Sequence, residues 1–318
     1  MVYIKRIITA LLFLAGLTGL LILASFLFMP KNNSADFGIE EASANGILGE
    51  KKGTIDVLFV GDSECYSSFI PMQLWKEQGY TSYVCGTSGQ TLDYTQTMLK
   101  RSFEKQKPKI VVLETLALFR EQKRSDYFYT KVCEKFSVFR YHDRWKNLKL
   151  QDFSGTAEFT WTDEYKGYRY SRTIEPCPKT EYMYPTDEAE DISDINRMCL
   201  ADIKALCDEH GAQLILVSTP SPVNWTMHRH NAAARIAAET GCEYLDLNLM
   251  QKEVPIDWSL DTRDKGDHLN QTGAEKVTRF MGGYLAGTGL LKSHTGEKGY
   301  RKWDEVSDRF AAIVSSSR

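Results

Sequence analysis

Short apolar runs alternate with stretches of helical spacing through most of the chain. Residues 55–60 (IDVLFV), 81–85, 109–114 (KIVVLE), 213–218 (QLILVS) and 243–246 read as strands. The longer of these runs are close to continuously apolar, the pattern of parallel strands covered on both faces. Residues 71–78, 92–105, 192–210, 229–240 and 272–285 read as helices, and Gly211 and Gly241 follow two of them where a helix stop is expected. This alternation predicts an α/β fold, a three-layer sandwich with a mostly parallel central sheet.

Two stretches break the rhythm. Residues 7–29 are apolar or small and carry no charge; Lys5 and Arg6 precede them, and Pro30 and Lys31 follow. Such a run can cross a bilayer of ~30 Å as a helix. It is longer than the apolar core of roughly 7–15 residues in a signal peptide, and the bulky Phe26 and Met29 stand where cleavage needs small residues. We therefore expect one uncleaved transmembrane helix. The early positive charges place its N-terminus in the cytoplasm and the rest of the chain outside.

The second break spans about 120–191, rich in Tyr, Phe, Trp, Arg and Lys. It reads as an insertion over the carboxyl ends of the strands, where open α/β sheets bind ligands. Its aromatics fit a carbohydrate platform or a satellite hydrophobic cluster equally well. The expected organisation is a cytoplasmic stub and anchor (1–31), a polar linker (32–53), one domain with its insertion (54–290) and a tail (291–318) ending in an amphipathic segment.

Composition adds limits. With 318 residues, 42% of them hydrophobic, the chain has ample material for one large domain. A net charge of -3 gives no sign of a nucleic-acid partner. The seven cysteines (Cys65, Cys85, Cys133, Cys177, Cys199, Cys207 and Cys242) are scattered without a CxxC pair, which gives a metal site little support. Small apolar core residues is the default reading for most of them.

The candidate chemistry begins where the first strand runs into Gly61-Asp62-Ser63. A serine at a strand-to-helix turn puts a hydroxyl at the mouth of the sheet; the alternative is a serine that caps the helix. A hydroxyl is a weak nucleophile until a base takes its proton. Among six histidines His268 is best placed, in the loop DKGDHLN (264–270) that enters the last helix. Asp264 and Asp267 are both near enough in sequence to orient it.

These segments resemble the blocks of the SGNH (GDSL-like) hydrolase superfamily. GDSECYSSF (61–69) resembles the first block, with Ser63 at the nucleophile position. GTSGQT (86–91) resembles the second, in which Gly89 matches the glycine that lends its N–H to an oxyanion hole alongside that of the serine. DKGDHLNQTGAEKV (264–277) resembles the last, with the catalytic Asp and His. STPSPVNW (218–225) is similar to a membrane-linked branch that includes proteins of teichoic-acid D-alanylation and exopolysaccharide O-acetylation. The resemblance covers roughly 54–120 and 194–285 and implies an SGNH, flavodoxin-like sandwich.

Two departures stand out. The third block normally carries an Asn, but VLETLALF (112–119) has none, so one oxyanion donor is missing or replaced, with Thr115 the candidate replacement. The Asp normally stands three residues before the His, where this chain has Lys265; Asp264 and Asp267 both stay open.

The resemblance implies serine-dependent acyl transfer, as an O-acyl esterase or O-acyltransferase, on a cell-envelope polysaccharide outside the membrane. It implies no cofactor or metal, and a multi-spanning MBOAT-type acyltransferase as partner. Thr115, Asn224 and Trp225 are candidate substrate contacts. The alternative is a non-catalytic scaffold of the same fold in a polysaccharide modification or export complex.

Overall fold

The computed structural model describes residues 2–316; the first residue of the expected stub and the last two of the expected tail lie outside them. The chain opens with α1 (Val2–Phe28), 27 residues long with a mean hydropathy of 2.6 over its most apolar window and none of that window buried, long and apolar enough to cross a membrane. After α2 (Ala42–Asn45) come β1 (Val57–Gly61), α3 (Ser63–Ser68), α4 (Pro71–Gln78), β2 (Ser82–Gly86), α5 (Leu92–Lys105) and β3 (Ile110–Glu114). Next are α6 (Arg124–Lys135) and α7 (Val138–Tyr141). The order closes with α8 (Asp194–Glu209), β4 (Gln213–Ser218), α9 (Met227–Thr240), β5 (Glu243–Asp246), α10 (Gln271–Gly287) and α11 (Arg301–Ser316).

The five strands form one parallel sheet in the order β2-β1-β3-β4-β5. Every residue of β1, β2 and β3 is buried, which accounts for their unbroken apolar character. The crossover connections put helices on both faces. On one face α4 packs with α10 and α11; on the other α5 packs with α8. The strand order reverses at β1, which pairs with β2 on one side and β3 on the other. At such a reversal the connecting loops part and leave a crevice at the carboxyl ends of the strands, and β1 delivers Ser63 there.

Residues 32–53 are not a free linker. Ile47 and Leu48 are buried in the main core, and Asn33 donates through Nδ2 to the carbonyls of Asn45 (3.0 Å) and Trp161 (2.6 Å). Apolar residues placed among the polar ones tie the segment down. The tail is likewise anchored: Trp303, Val306 and Phe310 of α11 are buried, and the Trp75 indole N–H donates to Asp304 at 3.0 Å.

The insertion contributes α6, α7 and two short 3-10 helices (His142–Asn147 and Leu150–Asp152), then continues without a helix or strand as a strap. Its Lys166 carbonyl accepts the N–H of Val84, which closes part of the outer edge of β2. Further along, Arg169 bonds to Tyr66 on α3, Glu175 to Thr262, Ser171 to Gln271, and Glu190 to His228 on α9. The strap thus runs from the sheet edge, past α3 and the loop before α10, to the far side of the domain.

Candidate active site

Ser63 is the first residue of α3, and its neighbour Asp62 caps that helix: the Asp62 carboxylate accepts the N–H of Glu64 at 3.0 Å. The serine hydroxyl is therefore not needed as a cap, and among the described residues it has no hydrogen-bond partner. The turn depends on Gly61. Its φ of +150° suits glycine, and a Cβ there would stand 2.7 Å from Cβ of Glu114. Asp62 is fully buried and held by Arg120, whose Nε and Nη2 lie 2.9 and 2.5 Å from Oδ2.

His268 lies in the loop closed by an isolated antiparallel bridge between Thr262 and Leu269, just ahead of α10. Asp264 accepts twice from it: Oδ1 takes the backbone N–H of His268 at 2.6 Å, and Oδ2 takes Nδ1–H at 2.7 Å. Asp267 is farther, 3.5 Å from Nδ1, and its Oδ1 accepts instead from Asn224 Nδ2 at 2.6 Å. The extra residue between Asp264 and His268 is absorbed by two consecutive left-handed positions, Lys265 (φ +62°) and Gly266 (φ +95°). The other imidazole nitrogen, Nε2, is buried without a partner. Burial on its own would lower the pKa of His268, but the Asp264 hydrogen bond and the charges of Glu64, Asp267 and Asp264 outweigh it and raise it above 6.5. Asp264 itself is partly desolvated, yet its two bonds from His268, that residue's charge and Arg263 hold it below the usual carboxylate range.

The two segments meet through their neighbours. Asn224 Nδ2 donates both to Asp267 and, at 2.8 Å, to Glu64, the residue after Ser63. Arg263 reaches Ser67 on α3 at 2.9 Å, and Ser67 donates back to the carbonyl of Ser63 at 2.6 Å. The hydrogen bond between the Ser63 hydroxyl and His268 Nε2 is not formed. Catalytic hydrogen bonds often tighten only when substrate is bound.

Glu64 gave no signal as a site residue in the sequence. It is 1% exposed, and burial, with Asp62 adding to it, pushes its pKa up to about 8 against the pull of His268 and Asn224. Glu114, at the end of β3, is also fully buried and raised well above its ordinary value by burial and by Asp62 and Glu64. Arg120 bonds only to Asp62 of these three buried carboxyl groups, and Glu64, at about 8, keeps its proton at neutral pH.

Of the remaining candidates, Gly89 stands in a left-handed turn (φ +61°) with open space around it, and among the described residues neither its N–H nor that of Ser63 has an intramolecular partner. Asn224 is a bridge within the site. Thr115 is completely buried and its hydroxyl is 2.6 Å from that of Ser218, so it does not stand in for the missing donor. Trp225 is 2% exposed, donates to Asp246 at 2.8 Å and packs edge-on against Phe119; it is a core residue, not a substrate contact. Ligand atoms of Asp264, Asp267 and His268 lie within 4.8 Å of one another, but the bonds just described already engage them, and they fit a proton-handling site better than a metal centre.

A cavity of about 530 Å³ opens beside Gly89. Gln90 and Gln122 line it, 2% and 8% exposed. Gln90 Oε1 and both amide atoms of Gln122 are buried without partners. Tyr94 and Tyr129 add aromatic surface.

No family model and no curated protein matches the chain. Solved structures do: a GDSL-like lipase from Bacteroides thetaiotaomicron VPI-5482 (14% identity, TM-score 0.39, 78% of this chain and 97% of that one), the lipase/acylhydrolase from Enterococcus faecalis (13%, 0.40, 75% and 98%) and the acetyl xylan esterase AlAXEase (17%, 0.38, 73% and 100%). Likeness at this level says nothing of what the chain does, and the functional reading rests on the site.

Proposed function

We propose that the protein carries out serine-dependent acyl transfer, with Ser63 as nucleophile, His268 as base and Asp264 as the group that orients the base. The observation that carries this is the state of His268: Nδ1 is committed to a carboxylate held ionised, while Nε2 is buried and unoccupied. That is the tautomer a general base needs.

In the proposed reaction His268 Nε2 takes the Ser63 proton as Oγ bonds to the carbonyl carbon of an ester. The N–H groups of Ser63 and Gly89 face the developing oxyanion. Collapse expels the alcohol, which takes the proton from His268, and leaves an acyl ester on Ser63. Water or a sugar hydroxyl then attacks that ester, giving hydrolysis or transfer. The unpartnered amides and tyrosines beside Gly89 suit a neutral, hydroxyl-bearing group, in keeping with a polysaccharide substrate. With α1 as anchor, the substrate is placed at the outer face of the cell envelope and the acyl donor arrives through an MBOAT-type membrane partner.

A scaffold without activity is favoured by one pair of facts: the Ser63–His268 bond is unmade, and no third oxyanion donor replaces the missing Asn. A fluorophosphonate probe separates the readings. Labelling of the full chain that disappears in Ser63→Ala supports the enzyme. Absence of labelling at micromolar probe, over a range of pH, supports the scaffold.

A further inference from the structure

A cavity of about 870 Å³ lies at the foot of α1. Met29 and Pro30, the residues that follow α1, form one wall. Six cationic side chains line it: Lys52, Lys100, Arg101, Lys105, Lys135 and Arg140. Glu40 engages Arg101 and Arg140 at 2.9 and 3.2 Å, and Glu134 engages Lys100 at 3.0 Å. Among the described residues Lys52, Lys105 and Lys135 have no carboxylate partner. Against Glu40, Glu104 and Glu134, the cations leave an excess of three positive charges. Lys105 Nζ bonds only to the carbonyl oxygens of Leu48 and Phe159, and burial lowers its pKa. Ile39, Leu48 and Phe159 supply apolar surface.

We infer that this cavity binds the phosphate headgroup and part of an acyl chain of an anionic phospholipid from the surrounding bilayer. The inference rests on α1 crossing the membrane and is independent of catalysis at Ser63. A helix that leaves the hydrocarbon at Met29 puts the cavity at headgroup depth, where phosphates are concentrated. Uncompensated lysines there meet an anion, and the apolar wall meets the lipid tail.

The test uses the full chain in a neutral maltoside detergent and follows its thermal midpoint. Added phosphatidylglycerol, at about a hundred times its dissociation constant, is expected to raise the midpoint by about 5–10 °C. Phosphatidylcholine and inorganic phosphate at the same concentration are expected to leave it unmoved. Lys52→Glu with Lys135→Glu, both on exposed side chains that the fold does not need, is expected to abolish the shift. An equal shift with phosphatidylcholine, an equal shift with inorganic phosphate, no shift with phosphatidylglycerol, or a shift that survives the double variant would each overturn the inference. If the chain stays soluble without detergent, the membrane reading fails separately, because the lipid titration can still be read.

Discussion

Asp264 holds His268 at two points, taking its backbone N–H at 2.6 Å and its Nδ1–H at 2.7 Å. The imidazole therefore cannot rotate without breaking a bond that also shapes the loop. Asp267 has no such grip on the ring. Asp264→Asn is expected to lower kcat for ester hydrolysis by roughly 10²–10⁴, as loss of the orienting carboxylate does in related triads. Asp267→Asn is expected to cost under about tenfold. Steady-state kinetics on a small aryl ester compare them, and equal losses would show that the two carboxylates act as a unit.

The raised pKa of His268 sets the acid limb of activity. Only the neutral imidazole accepts the Ser63 proton, so kcat/KM is expected to rise with pH through a midpoint above 6.5. Glu64, with a pKa of about 8, still holds its proton near neutral pH, so Glu64→Gln removes no charge there and the midpoint is expected to stay in place. A pH–rate profile of both proteins checks this; a midpoint that moves down in the variant would show that Glu64 is ionised beside the imidazole.

Glu64 also makes stability depend on pH. Its folded pKa of about 8 lies above the ordinary 4.5, so the folded state binds the proton more tightly than the unfolded chain. The sign follows: stability is fully present below about 4.5, falls as pH rises through about 8, and is flat above that. Glu64→Gln is expected to be close to neutral at pH 5 and stabilising at pH 9. Urea denaturation at the two pH values measures the difference. A variant equally destabilised at both would mean that Glu64 is needed as a carboxylate.

Gln122 offers a different kind of test. Its amide is 8% exposed and bonds to nothing, so Gln122→Leu removes no internal hydrogen bond and is expected to leave the thermal midpoint unchanged or slightly raised. If the amide reads substrate hydroxyls beside Gly89, KM for an acetylated oligosaccharide is expected to rise about tenfold with kcat little changed. An unchanged KM would remove Gln122 from the substrate site.

The strands and the helices that cover them were legible because burial on two faces leaves an unbroken apolar imprint, and the strand boundaries fall within two residues of the pattern at 55–60, 109–114 and 213–218. The positions of Ser63 and His268 at chain turns were legible for the same reason. The choice between Asp264 and Asp267 was not, because it depends on Lys265 adopting a left-handed conformation, which a lysine does not announce. Thr115 and Trp225 look like site residues in a row of letters, yet the turns that follow β3 and β4 bury them. Asn224 reads as a substrate contact, but its amide is spent on Glu64 and Asp267. The segment 32–53 looks like a tether because polar residues outnumber Ile47 and Leu48, and two well-placed apolar side chains suffice to fix it.

The strap has a consequence for how such a protein can diversify. Residues 115–212 separate β3 from β4, against 87–109 between β2 and β3, about two doublings of connection length. Closure entropy grows only logarithmically, so the longer excursion costs roughly 1.2 kcal/mol when the two strands pair. That is small beside the burial of a single large core side chain. Apart from α8, which covers one face of the sheet, the strap within this excursion bonds to the sheet at one outer edge and runs along the rim of the crevice. The strap can therefore be lengthened, shortened or exchanged, and the range of molecules admitted to the crevice altered, with little change to the framework that aligns the reacting groups.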